Sequence, residues 1–265
     1  MIAIKKTTLY SWLWPKLSYG KQKLKMLKSK NSTHLREIMA QIQAQEFSTE
    51  RAKINYIRNW VKSNSIHLID DEHDQYAFNL PLVLSRLNDY SKGLGELPHL
   101  SCGPRAYAMK EILDGLNIEN RIIDLFGFSG ETVYRVSPHT LIEVFEADQQ
   151  SWVLQDPDFN VAYTDKNTGE YLCVKALLQS ETKNLTFDAA GFAIENPINL
   201  RNTVRGLFEY CALYRMSYVG KKSMLLVNAK KNMLNVSVVG AESEELLFSE
   251  YIYSRDYKYS LEYIA

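Results

Sequence analysis

Apolar residues recur every three or four positions through much of the first half of this chain. Over His34 to Gln45 and over Ser48 to Val61 that spacing predicts helices, the second with Ile54, Ile57, Trp60 and Val61 on one face. Tyr76 to Tyr90 predicts a further helix or helix pair, with Pro81 near its start. From Pro104 onward, Ala106, Met109, Ile112, Leu113 and Leu116 repeat the period, and Gly115 and Asn117 supply the stop. The pattern then changes. His139 to Glu146 and Ser151 to Asp156 are rich in β-branched and aromatic residues and are separated by the polar break Ala147 to Gln150, which predicts a hairpin. Beyond Asn160, Val174 to Gln179 and Leu200 to Met216 read as helical. Met224 to Asn228 and Met233 to Val239 read as a second hairpin. Tyr251, Tyr253, Tyr257, Tyr259 and Tyr263 fall on alternate positions, as in a strand with an aromatic face. That face suits a half-buried sheet and a peptide or sugar surface equally.

The first hairpin has a consequence for chemistry. If Glu146 pairs with Ser151, then Phe145 faces Trp152, Glu143 faces Leu154 and Leu141 faces Asp156. Side chains alternate between sheet faces, so His139 and Asp156 become diagonal neighbours within reach of an imidazole–carboxylate hydrogen bond. A slip of one residue would separate them. Asp158 would lie opposite His139 and is the rival partner. Pro157 removes a ladder donor and ends the strand, which favours Asp156.

Cys102 sits at or just before the start of the helix that Pro104 opens. Unpaired N–H groups and the positive end of the helix dipole collect there and favour negative charge on sulfur, the form in which it is a nucleophile. The same groups could hold an oxyanion. Gly103 leaves room for a substrate against the backbone. Taken alone, Cys102 reads as a small buried apolar residue. Alone, His139 and Asp156 each read as solvated strand ends.

Taken together, the residues carry a resemblance. Cys102 with Ala106, then His139 with Thr140, Glu143 and Val144, then Trp152 with Asp156 and Pro157, resemble the Cys, "H-x-x-x-E-V" and "W-x-x-x-D-P" series of the transglutaminase-like cysteine enzymes, a branch of the papain-like fold. The intervals of 37 and 17 residues suit a helix, a strand and a hairpin. The stretch from Ser48 to Leu68 is similar to the helix that precedes this core, and Glu119 to Phe126 to the strand after the Cys helix, so the resemblance covers Ser48 to Asn160.

The resemblance implies an α+β, papain-like or transglutaminase-like core, with the nucleophile helix packed on an antiparallel sheet. A helical N-terminal region precedes it and an α/β extension follows. The expected divisions are a basic extension and helix over 1–47, the catalytic core over 48–199 and a C-terminal lobe over 200–265. Cys102, His139 and Asp156 would be nucleophile, base and orienting acid, with no cofactor and no metal. The implied activity is cysteine-dependent hydrolysis of a peptide, protein or other amide through a thioester. Amine transfer of the transglutaminase type and a catalytically silent binding module on the same fold are the alternatives. Peptidase or amidase activity is the outcome favoured by bacterial-type members of such families.

There are departures from related patterns. Papain-type enzymes carry a Gln before the Cys and a much longer Cys-to-His interval. The Arg-Gly-Gly-x-Cys run of arylamine acetyltransferases is absent, as are the paired Cys-x-x-Cys zinc sites of peptide glycanases. The calcium sites of animal transglutaminases lie in extra domains. A side-chain oxyanion donor stays open, with Gln75 and Tyr76 upstream.

Composition changes this picture little. The 265 residues are 46% hydrophobic and 23% charged, and 31 basic and 31 acidic residues leave no net charge to attract nucleic acid. Three cysteines far apart argue against a disulfide framework, and with no recognisable signal peptide a cytoplasmic location is expected. Cys173 and Cys211 lie in apolar runs and read as core. No apolar run reaches the length of a transmembrane helix. Lysines crowd the N-terminus, over Lys21 to Lys30, after Trp12 and Trp14. They suggest weak contact with an anionic surface or a solvated extension, and Pro15 and Gly20 favour the extension. The acidic run Asp70, Asp71, Glu72 and Asp74, with His73, lacks the spacing of a calcium loop and reads as a solvated loop.

Overall fold

The computed structural model describes residues 32–76, 79–127, 137–180, 182–198, 200, 211–217, 224–228 and 260–264. Two helices open it. In α1 (Thr33–Gln43) the Ser32 hydroxyl accepts from the Leu35 N–H at 3.0 Å, and in α2 (Glu50–Ser63) Thr49 accepts from Ala52 at 3.1 Å. Such caps satisfy N–H groups that the helix leaves unpaired. A two-residue strand β1 (Ile66–His67) follows, then α3 (Asp71–Tyr76), α4 (Leu80–Ser91), β2 (His99–Leu100) and α5 (Cys102–Gly115). β1 and β2 pair in parallel, His67 beside Leu100, which delivers the chain to Cys102.

The remaining described elements are one eight-stranded sheet with a short helix and a 3-10 turn (Thr182–Asn184) between its strands. They are β3 (Asn120–Gly127), β4 (Ser137–Glu146), β5 (Ser151–Asp156), β6 (Val161–Asp165), α6 (Val174–Gln179), β7 (Leu185–Asp188), β8 (Cys211–Ser217), β9 (Met224–Asn228) and β10 (Ser260–Ile264). The strand order is β10-β9-β8-β3-β4-β5-β6-β7. Neighbours are antiparallel except β9 and β10, which run parallel. The protein is therefore of mixed helix and sheet, an α+β architecture.

Alternation along the strands divides the core in two. Ile122, Ile142 and Val144 face the helices and join Ile38, Ile54, Val83, Ala106, Met109 and Ile112. Ile123, Leu141 and Leu154 face the other way and join Phe159, Val161, Tyr163, Val174 and Leu177. The hairpin has the register that its four-residue loop dictates: Glu146 opposite Ser151, Phe145 opposite Trp152, Glu143 opposite Leu154. The ladder ends at Ile142–Gln155, and the strand stops at Asp156, before Pro157.

Several local expectations are corrected. The acidic run is not a solvated loop. It forms α3, because an Asp70 carboxylate oxygen accepts from the Glu72 and His73 N–H groups at 3.1 and 3.0 Å and so starts a helix. Part of the stretch expected to be helical over Leu200 to Met216 is strand β8, which pairs with β3. A short, largely apolar segment such as Cys211–Ser217 fits either period, and a strand partner decides between them. Cys173 is only half-buried and caps α6. The lysine-rich N-terminus, Met233 to Val239 and Tyr251 to Tyr259 lie outside the described residues. Among the described residues no helix is long and apolar enough to cross a membrane.

Candidate active site

Cys102 is the first residue of α5 and is half-buried. Ser101, its N-cap, has extended backbone, yet its hydroxyl makes no capping bond. That hydroxyl lies 3.0 Å from His73 Nε2, and His73 Nδ1 lies 2.9 Å from an Asp74 carboxylate oxygen. The first-turn N–H groups of α5, which have no acceptor within the helix, therefore stay uncapped by Ser101. Pro104 contributes no N–H of its own.

His139, third residue of β4, is buried, and its Nε2 lies 3.0 Å from Asp156 Oδ2. Phe159 packs on its ring with centroids 5.6 Å apart. Cys102 is among the groups that raise the pKa of the imidazole. With Nε2 engaged by Asp156, Nδ1 is the nitrogen left for sulfur. The structure thus pairs His139 with Asp156, the acid expected from the hairpin register. Burial alone would push the His139 pKa down. The Asp156 carboxylate, by charge and by hydrogen bond, and then Cys102 outweigh it and hold the imidazole well above its ordinary value.

Asp156 closes β5 with no exposed surface, and four donors hold its carboxylate. Oδ2 takes His139 and the Tyr163 hydroxyl at 2.8 Å. Oδ1 takes the N–H groups of Asp158 at 3.0 Å and Phe159 at 3.2 Å. Burial first, then the Asp156 charge, pushes the Tyr163 pKa well above 10, so its hydroxyl keeps its proton and remains a donor. Nothing in the local sequence marked Tyr163, because its contact forms across two strands.

Asp158, the rival acid, serves elsewhere. One of its carboxylate oxygens lies 2.7 Å from His67 Nδ1 and 3.3 Å from Arg105 Nη1. Burial alone would raise the Asp158 pKa. The His67 hydrogen bond and the charges of His139, Arg105 and His67 bring it below the usual carboxylate range. Tyr76 is not positioned as an oxyanion donor, since its hydroxyl donates to Glu72 at 3.0 Å and accepts from the His99 N–H. Gln75 is exposed on the same short helix.

Two other residues of the motif turn out to be structural. Glu143 is fully buried; its Oε2 accepts from both Nε and Nη2 of Arg121, and its Oε1 accepts from the Val174 N–H. Arg121 in turn stacks 3.9 Å over the Trp152 ring. Among the described residues no group of three or more His, Cys, Asp or Glu side chains could hold a metal ion.

No family model matches the chain, and no curated protein matches it. Solved structures that resemble it in part include two candidate proteases. One is a candidate protease from Parabacteroides distasonis ATCC 8503, at 8% identity over 53% of this chain and 29% of that one, with a TM-score of 0.36. The other is a candidate cysteine protease from Cytophaga hutchinsonii, at 15% identity over 53% of this chain and 37% of that one, with a TM-score of 0.28. The chain thus spans about a third of the length of these neighbours. Likenesses at this level decide nothing about chemistry, which rests on the geometry above.

Proposed function

We propose that the chain is a cysteine-dependent hydrolase acting on amides, on a papain-like, transglutaminase-like core. Cys102 is the nucleophile, His139 the general base and Asp156 the orienting acid. The observation that carries this reading is the buried His139–Asp156 hydrogen bond at 3.0 Å, with Cys102 among the groups that raise the imidazole pKa. Its acid end is immobilised by four donors.

The roles follow from the positions. The Cys102 sulfur attacks the substrate carbonyl carbon and the carbonyl π pair moves to oxygen; the thiol proton passes to His139 Nδ1 or is already held there in a thiolate–imidazolium pair. The uncapped first-turn N–H groups of α5 receive the oxyanion. When the intermediate collapses the C–N bond breaks, and His139 gives its proton to the leaving amine. A thioester remains. His139 then takes a proton from water, the resulting hydroxide attacks the thioester, and as the C–S bond breaks to release the acid the expelled Cys102 sulfur recovers its proton from His139. Asp156 holds the ring tautomer and stabilises the imidazolium throughout.

The test is labelling with a thiol-reactive acyl probe, comparing wild type with Cys102→Ala. Labelling lost in the variant and mapped to Cys102 supports the reading. Equal labelling of both proteins, or none of either, overturns it. A glutamine peptide supplied with and without a primary amine separates the outcomes: ammonia release without amine incorporation is the hydrolase result, and amine incorporation reassigns the chain to transfer.

A further inference from the structure

Arg105 lies three residues after Cys102 on α5, on the same buried stripe as Met109 and Ile112, and its side chain is fully buried. A buried guanidinium needs acceptors for its donors. Here Nε donates to Ser65 Oγ at 3.0 Å and Nη2 to the Ser65 carbonyl at 3.0 Å. Nη1 reaches the Asp158 carbonyl at 2.8 Å, an Asp158 carboxylate oxygen at 3.3 Å and Glu195 Oε2 at 3.1 Å.

These acceptors are not a random set. Asp158 is two residues beyond Asp156, and its own N–H donates to Asp156 Oδ1. The turn that Arg105 grips is therefore the turn that holds the acid. Further along the same turn, the buried Arg58 of α2 donates through Nε to Asn160 Oδ1 at 3.2 Å. Glu195 adds a second tie to this turn, since its N–H donates to the Phe159 carbonyl at 3.0 Å. His67 closes the group from the exposed side.

We propose that Arg105 is a positioning residue: it bolts the nucleophile helix to the acid turn and so sets the separation that His139 must bridge between Cys102 and Asp156. This rests on the triad proposed above. A planar fork meets several acceptors at fixed angles, which a lysine ammonium on a flexible stem does not reproduce. Misplacement of reacting groups by about 1 Å costs on the order of 100-fold in rate.

The experiment compares wild type, Arg105→Lys, Ser65→Ala and Cys102→Ala, using p-nitrophenyl acetate turnover, the pH profile of iodoacetamide alkylation at Cys102, and thermal melting. For folded Arg105→Lys we expect kcat about 100-fold lower with KM within about twofold, and a displaced midpoint in the alkylation profile. A kcat and a midpoint equal to wild type in a folded variant overturn the proposal. Should Arg105→Lys fail to fold, Ser65→Ala removes only the acceptor of Nε. A fall in kcat of about tenfold with an intact melt then supports the proposal, and wild-type values for both overturn it. Turnover that persists in Cys102→Ala overturns the triad itself, which is a different result from a silent Arg105 in an enzyme that needs its thiol.

Discussion

The Tyr163 hydroxyl donates at 2.8 Å to the same Asp156 oxygen that receives His139. The carboxylate is thus pinned from the β6 side as well as by its own turn. Removing this donor leaves a buried charge with one partner fewer. Tyr163→Phe is expected to cost about 1–3 kcal/mol of stability and to slow turnover by about tenfold, with the thiol still present and alkylatable. Urea unfolding and turnover of p-nitrophenyl acetate check both halves. An unchanged rate would show that the backbone donors suffice to orient Asp156.

His139 gives a pH dependence of definite sign. Its pKa in the folded chain is raised well above 6.5, so the native state holds a proton that the unfolded state has released. Its contribution to stability is complete below about pH 6.5 and is lost as pH rises through the folded value. The stability difference between wild type and His139→Gln should therefore shrink as pH climbs above about 6.5. Chemical unfolding at a series of pH values measures it, and a difference that grows with pH would contradict the arrangement.

Gly103 tests access rather than folding. A Cβ at this position would meet Thr140 Oγ1 at 3.9 Å, an ordinary contact, so the protein itself has room for alanine. In a helix, alanine is favoured over glycine by about 1 kcal/mol. Gly103→Ala should melt no lower than wild type. Because the methyl group adjoins the sulfur where a carbonyl must approach, kcat/KM should drop by about tenfold. A drop in melting temperature instead would place the requirement for glycine in the fold.

Glu143 should behave oppositely. Its carboxylate is buried between Arg121 and the Val174 N–H. Glu143→Ala removes the buried carboxylate that pairs with Arg121, a loss of about 3–5 kcal/mol. Urea unfolding reads it directly, and a loss under about 1 kcal/mol would mean that the pair is screened by solvent.

Much of this arrangement was legible residue by residue. The helix over Cys102–Gly115 follows from apolar spacing and a proline in its first turn. The hairpin register follows from a four-residue polar break, and strand alternation then puts His139 and Asp156 on one face before any long-range contact is known. These are consequences of backbone geometry over a few residues. Only the tertiary structure showed that His139 bonds Asp156 rather than Asp158. The strand end and Tyr163 gather donors around the first, while His67 and Arg105, 91 and 53 residues away in the chain, take the second. Which charge is desolvated, and against which partner, depends on distant segments closing on each other. Local periodicity carries no record of that closure.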